Sequence, residues 1–310
     1  MNTRFIETFL TLARLGSFRA TAREMHATPA AISLRIKALE TELGISLIDR
    51  AAAPFRLTDQ GERILIHART VVDAARSLEL SAQDDTQISA RLRLGVIETI
   101  VHSWLPDFIR KLNNDFPNIV IDLTVEASAA LGARLSANEL DLVIQVEGSK
   151  DPLVVSTALA SYPVRWIVQR DLLPSDAPSL VHAMLQCPVL TFGKGTAPQI
   201  AVDAIVTGLA AHNNVPLSET RVTCIPSVAA MIHLLRDGYG VAAVPSLFVA
   251  PFLENGELMA LTDLPAPPSL VVALCRRSDA GVATLAAARA ARDVCDHFCL
   301  TQGKTLIETL

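Results

Sequence analysis

SFRATAREMHATPAAISLRIKALE, residues 17–40, reads as two short helices joined by a tight turn. Ser17 is placed to N-cap the first, which runs to about Met25, because its hydroxyl oxygen can accept from a free amide of the first turn. Thr28 stands in the same relation to the second helix, and Pro29 at the first helical position loses no hydrogen bond there. Only His26 and Ala27 are left for the turn. On the second helix Ile32, Ile36, Leu39 and Leu43 recur at steps of four, three and four, so at about 100° per residue they form one stripe. That stripe is core. The opposite side presents Ala30, Ser33, Leu34 and Lys37, groups of little bulk that let a helix sit deep in the major groove of DNA. Arg35 stands beside the buried stripe, where a sideways reach to a phosphate is expected. The spacing alone also describes an ordinary helical hairpin of an all-α domain, and the flanking chain separates the two.

Past Glu40 come Leu43-Gly44, then two short apolar runs, Leu47-Ile48-Asp49-Arg50 and Phe55-Arg56-Leu57-Thr58, joined by a loop through Pro54. This is the pattern of a small hairpin, the wing of a winged helix. Arg50 and Arg56 flank it, placed to meet backbone phosphates, which fix register without reading sequence. Residues 4–80 resemble the N-terminal domain of LysR-type bacterial transcriptional regulators. The matching residues are Phe9, Leu12, Ala13, Gly16-Ser17-Phe18, Ala22, Ile32-Ser33, Ile36, Leu39-Glu40, Leu43-Gly44, Leu47, Arg50, Leu57-Thr58 and Gly61, without gaps. Leu34 departs from the family, which more often has a polar side chain there, so a thymine methyl is the expected target of this position.

The chain has 310 residues and a net charge of −5, which at first argues against nucleic acid. Residues 1–58 nevertheless hold eight Lys or Arg against five Asp or Glu, so a head of +3 sits on a body of −8. Such a division fits a protein that touches DNA with one end only. The small positive charge implies weak, salt-sensitive binding by a single head, and two heads per molecule would remedy that. No N-terminal stretch joins a basic start to a long apolar run, and no apolar run approaches the roughly 18 residues of a membrane span. A cytoplasmic protein with no membrane partner is expected. The cysteines at 187, 224, 275, 295 and 299 are odd in number and dispersed, which argues against a disulfide framework. Cys295 and Cys299 share a helix face and read as buried apolar side chains, not as metal ligands. Cys187 and Cys224 have no flanking cation to favour a thiolate.

Thr58 can cap a helix from Asp59 to about Leu80, with Asp59 and Glu62 in the first turn, where the helix dipole favours anions. Ile64, Ala68, Val71, Ala75 and Leu78 alternate steps of four and three along it, a seam for another helix. The same seam could dock on the protein's own body; the LysR resemblance implies pairing between subunits, as a dimer or a tetramer. The polar run Ser81 to Gln87 marks a hinge. The expected domains are 1–58 (winged helix-turn-helix), 59–87 (linker helix and hinge), 88–163 with 267–310 (lobe I) and 164–266 (lobe II).

From Arg91 strands and helices alternate, the mark of a parallel α/β arrangement. The strands expected are Leu92–Val96, Ile119–Val125, Leu142–Val146, Val164–Val168, Val189–Phe192, Thr220–Ile225, Val241–Val244 and Leu270–Leu274. Helices are expected at about 100–113, 129–137, 199–211, 228–236 and 281–299. The chain crosses between two lobes near residues 161–163 and 265–269, and two lobes so joined leave a cleft at the carboxyl ends of their strands, where ligands bind. The resemblance likewise implies an effector domain similar to periplasmic solute-binding proteins. Thr99, Ser128 and Thr196 each stand between a strand and a helix, where hydroxyls and free amides meet the ligand end, and three such termini favour an anion. All three could equally be plain N-caps. Thr196 closes Gly193-Lys194-Gly195-Thr196 just after Phe192, and the resemblance implies effector contacts at Thr99 and Thr196. Glu98, Gln145 and Glu147 qualify the anion reading, since a carboxylate in the cleft suits an amino group; a zwitterion would satisfy both charges.

The seven histidines, at 26, 67, 102, 182, 212, 233 and 297, lack metal-ligand spacing. There is no G-x-S-x-G nucleophile motif, and Gly193-Lys194-Gly195-Thr196 lacks the first glycine of a P-loop. No enzyme activity, cofactor or metal is expected. The expected function is a DNA-binding transcriptional regulator controlled by a small anionic or zwitterionic metabolite, with double-stranded DNA, a second copy of the chain and RNA polymerase as partners. Its alternatives are a solute-binding protein with an inert N-terminal appendage and a ligand-independent DNA-binding repressor.

Overall fold

The computed structural model describes residues 2–49, 54–81, 89–173 and 180–310. The chain divides into two units, residues 1–88 and 89–310.

In the first unit, α1 (Thr3–Leu15) precedes α2 (Phe18–Glu24) and α3 (Pro29–Leu43). Ser17 Oγ accepts from the Ala20 amide at 3.3 Å and Thr28 Oγ1 from the Ala31 amide at 3.2 Å, so both helices start on their hydroxyl caps. The turn between them holds His26 at φ 47°, a left-handed conformation that non-glycine residues seldom adopt. Two-residue strands β1 (Ile48–Asp49) and β2 (Arg56–Leu57) pair antiparallel, with Ile48 opposite Leu57. Glu40 Oε1 accepts from the Leu47 amide at 2.9 Å and so ties the end of α3 to the hairpin. The stripe foreseen on α3 is buried at Ile32, Ile36 and Leu39 and half-buried at Leu43. Ile36 and Leu39 pack with Phe9, Leu12 and Leu47 in one core.

Helix α4 (Asp59–Ser81) begins at Thr58, whose Oγ1 accepts from the Gly61 amide at 3.0 Å. Its expected seam does not share one environment. Ala68 is buried together with Val72 in the core of the head, and Ile64 and Leu65 pack against that core. Val71 and Leu78 are 36% and 73% exposed. The first half of the helix therefore spends its apolar face on its own unit, and the stretch available to a second helix is shifted toward Val71 and Leu78.

The second unit holds two sheets. Lobe I comprises β3 (Ala90–Val96), α5 (Glu98–Val101), α6 (Leu105–Asp115), β4 (Ile119–Val125), α7 (Ser128–Ser136), β5 (Leu142–Val146) and β6 (Val154–Tyr162). After lobe II the chain returns to it with β12 (Leu270–Arg277), α12 (Val282–Gln302) and β13 (Glu308–Thr309), and the sheet order is β13-β6-β12-β5-β3-β4. Lobe II comprises β7 (Val164–Gln169), α8 (Leu180–Gln186), β8 (Pro188–Thr191), α9 (Ala197–His212), β9 (Arg221–Cys224), α10 (Val228–Arg236), β10 (Val241–Pro245), α11 (Ser246–Glu254) and β11 (Leu258–Leu261). Its sheet order is β11-β7-β10-β8-β9.

Both sheets are mixed, which corrects the parallel arrangement expected. β3 runs parallel to β4 and β5, but β12 is antiparallel to β5 and β6, and β7 is antiparallel to β10 and β11. The antiparallel strands lie where the chain passes between lobes without a crossover helix to return it. β6, α8, α11, β11 and β13 were not foreseen. The helix expected at 100–113 is two helices, because Pro106 lacks an amide and sits in the first turn of the second one. Tyr162, the last residue of β6 and fully buried, receives hydrogen bonds at the first crossing: Trp104 Nε1 donates to its hydroxyl at 3.0 Å, and its ring stacks on Phe248 of lobe II.

Candidate functional site

The outer face of α3 carries Ala30, Leu34 and Lys37 exposed and Ser33 half-buried, with Thr28 and Pro29 exposed at its start. Leu34 is 70% exposed although apolar, on a helix whose opposite side is closed in core. Arg35 differs from expectation: it is half-buried, and its Nη1 is shielded from solvent without a hydrogen-bond partner among the described residues. Its neighbours on the stripe, Ile32 and Ile36, are fully buried, which draws the stem of Arg35 inward. Arg56 is exposed on the hairpin, and Arg50 lies outside the described residues. Ser17 and Thr28 spend their oxygens on caps, so their part at this face is to set the two helices.

Between the lobes of the second unit lies a cavity of about 740 Å³ bordered by Glu98, Thr99, Ser128, Phe192 and Thr196, and also by Ser227. Thr196 caps α9: its Oγ1 accepts from the Gln199 amide at 3.4 Å and donates to Gly193 O at 2.8 Å. The Gly195 amide donates to Gln199 Oε1 at 2.8 Å, so this helix start is largely satisfied from within. Ser128 is the first residue of α7 and not its cap, and its Oγ accepts from the Val146 amide at 3.1 Å. Thr99 is buried inside α5, one residue past Glu98. Gln145 does not border the cavity. It is buried on the side of β5 covered by α7, where a Cβ on Gly132 would lie 3.5 Å from its Oε1, and its Nε2 donates to Glu147 O. Strand alternation turns Gln145 to the face opposite Val146, which does reach the cavity; Glu147, which also borders it, lies past the end of β5 at φ 62°.

Glu98 is the least expected of these residues in its placement. Its Oε1 accepts from Ser227 Oγ at 2.8 Å and its Oε2 from the Val228 amide at 2.8 Å, both on lobe II. His102 Nε2 lies 3.2 Å from the same Oε1. Burial acts to raise its pKa, but hydrogen bonds from Val228, Ser227, His102 and Ala229 outweigh that and hold the carboxyl below its ordinary value. His102, Ser227 and Val228 are site residues that the sequence reading missed. The available signal was Ser227 immediately before the helix pattern of 228–236, a cap position at the ligand end of lobe II.

Cys187 and Cys224 do not assemble, whereas Cys295 and Cys299 are buried side by side on α12 and share a hydrogen bond. In the β8–β9 ladder Cys224 lies opposite Thr191, whereas Cys187 precedes Pro188 at the other end, a separation of roughly 13 Å along the strands. A disulfide needs Cα atoms under about 7 Å apart. Burial pushes the thiols of Cys187, Cys275 and Cys295 up, away from the thiolate. Among the described residues no cluster of His, Cys, Asp and Glu could hold a metal, and no helix is long and apolar enough to cross a membrane.

Residues 3–62 match the family described as bacterial regulatory helix-turn-helix protein, lysR family, and residues 85–298 match the LysR substrate binding domain. The chain belongs to the LysR family. Its members are DNA-binding transcriptional regulators with an effector-binding domain. A hydrogen peroxide-inducible genes activator of Dickeya chrysanthemi is 26% identical over 255 residues, 77% of this chain and 83% of the relative. The OxyR dual regulator of Escherichia coli K12 is 29% identical over 172 residues, 55% of this chain and 56% of that protein. In fold, full-length LysG of Corynebacterium glutamicum with bound effector Arg is similar with a TM-score of 0.55 at 22% identity, covering 96% of this chain and 99% of that one. Oxidized OxyR of the same organism gives 0.53 at 21%, covering 97% and 94%. LysR regulators with this architecture thus share the winged head and the two-lobed domain found here.

Proposed function

We propose that this LysR-family chain reads DNA through α3 and its wing and is switched by a small polar metabolite bound between its lobes. The observation that carries the reading is the pairing of a closed-core helix with an exposed outer face in one unit and a ligand-sized cleft between two lobes in the other. Its domains run as 1–58, 59–87, 88–163 with 267–310, and 164–266. Ala30, Ser33, Leu34 and Lys37 meet base edges; Arg50 and Arg56 serve the phosphates; Ser17, Thr28 and Pro29 set the helices. Glu98, Thr99, Ser128, Phe192 and Thr196 serve the effector, an anion or zwitterion. The chain works in the cytoplasm as a dimer or tetramer that engages RNA polymerase, and it is not an enzyme.

Metabolite control is favoured over thiol chemistry, because the cysteines whose pKa departs from the ordinary value are all pushed up and Cys187 and Cys224 stand at opposite ends of their strands. Binding-site selection on random duplexes tests the DNA half: an enriched, partly palindromic motif is expected, and uniform recovery of all sequences would refute it. Thermal shifts across a metabolite panel test the other half, since a ligand at 100 times its Kd stabilises by about 2.7 kcal/mol. The panel starts with amino acids, because the LysG structure of this fold holds arginine. Tight DNA binding with no ligand response would leave a ligand-independent repressor.

A further inference from the structure

Glu98 and Val228 stand 130 residues apart, on opposite lobes, and are joined by a hydrogen bond of 2.8 Å. The free amides at the start of a helix, together with its dipole, form a seat for an anion. Helix α10 has nine residues and its start opens on the cavity, and its seat is filled by a side chain from the facing lobe. Both carboxylate oxygens are engaged, Oε1 with Ser227 and His102 and Oε2 with the Val228 amide. The starts of α9 and α7 differ. Gln199 and Thr196 satisfy the first from its own turn, and the Ser128 hydroxyl is committed to the Val146 amide.

We propose that Glu98 is a tethered ligand: its carboxylate occupies the carboxylate seat of α10, holds the two lobes together without effector, and yields that seat to the carboxylate of an effector. The proposal rests on reading the cleft as the effector site. It names the ligand class, a carboxylate, and it supplies what switching requires. A ligand shifts a conformational equilibrium only if it binds the two states unequally. An effector that replaces Glu98 removes the lobe-to-lobe bonds and makes its own. Because the tether presents its carboxylate at an effective concentration in the millimolar range or above, free carboxylates bind the intact protein less well than a variant without it.

Hydrogen exchange of the full-length chain tests this. In Glu98→Ala the Val228 and Ala229 amides exchange about tenfold faster than in wild type, while β12 keeps its protection and shows that lobe I is folded. Sodium acetate at about 50 mM restores protection in the variant, sodium chloride at equal ionic strength does not, and neither changes the wild type. Unchanged exchange in Glu98→Ala would overturn the bridge; faster exchange that acetate cannot reverse would overturn the carboxylate seat. Should β12 lose its protection, Glu98→Gln decides, since it keeps the shape of the side chain but has one acceptor oxygen instead of two and no charge to strengthen the bonds from Val228 and Ala229: exchange of these two amides roughly threefold faster supports the tether and none refutes it. DNA binding by the wild-type chain, measured in parallel, reports on the regulator reading separately, so failure of one is not mistaken for failure of the other.

Discussion

Gly61 faces the carbonyl of Leu47 so closely that a Cβ on Gly61 would lie 2.2 Å from the Leu47 oxygen. The same oxygen accepts from the Thr58 amide at 3.1 Å, and the Thr58 hydroxyl donates to Ser46 O at 2.6 Å. The start of α4 is therefore fastened to the base of the wing through backbone atoms, which cannot give way as a flexible side chain would.

Gly61→Ala should destabilise the head by roughly 1–3 kcal/mol, the usual cost of forcing extra atoms into a packed site. Denaturant titration followed by helix content is the measurement. A midpoint equal to that of wild type would show that this contact is loose in solution.

Leu34→Gln should alter base preference at one position of each half-site, with a change of about 1–3 kcal/mol in discrimination and a small effect on affinity for unrelated DNA. Site selection on both proteins makes the comparison. An unaltered preference at every position would remove Leu34 from the reading face.

Val71 and Val72 are neighbours on α4 with opposite surroundings, the first 36% and the second 3% exposed. Val71→Lys should dissociate the oligomer while the head stays folded, seen as a later elution from a sizing column with unchanged circular dichroism. Val72→Lys should unfold the head, since it places an unpaired charge in the core. Equal behaviour of the two variants would contradict the division of the seam.

Acid should loosen the effector unit. Burial acts to raise the pKa of Asp141, but hydrogen bonds from the Arg93 side chain and amide and the Arg93 charge outweigh it, so the carboxyl sits below its ordinary value of 3.8. Glu98 is likewise held below 4.5. A carboxyl whose folded pKa is depressed stabilises the fold fully above its unfolded pKa, and that stabilisation is lost as pH falls through the folded value. Stability should be level above about pH 5 and decline as pH drops below the ordinary carboxylate range. Asp141→Asn should flatten part of that decline in denaturant titrations run across pH, and an unchanged slope would exclude Asp141 from it.

Much of the head was legible because its signals are local. Ser17, Thr28 and Thr58 cap the helices that follow them, and the stripe on α3 is buried as its spacing required. The seam on α4 misled for a local reason as well: steps of four and three mark an apolar face but do not name what covers it, and Phe9 and Leu12 of α1 belong to the core that takes the first half. In the effector unit the parallel strands were found and β6 was not. Its residues alternate with small polar ones, and the strand earns its place only by pairing with β12, more than a hundred residues later.

By itself the amino-acid sequence determined the winged head and the two α/β lobes with their crossings, because caps and periodicity act over a few residues at a time, and the resemblance of residues 4–80 carried the LysR family. Only the tertiary structure decided what the cleft contains. Gln145 left it because the pleat of β5 points that side chain under α7, and Ser227 and Val228 entered it because closing the two lobes brings the start of α10 to Glu98. A carboxylate in a sequence announces a charge; which amides receive it depends on chain 130 residues away, and that distance is set by folding alone.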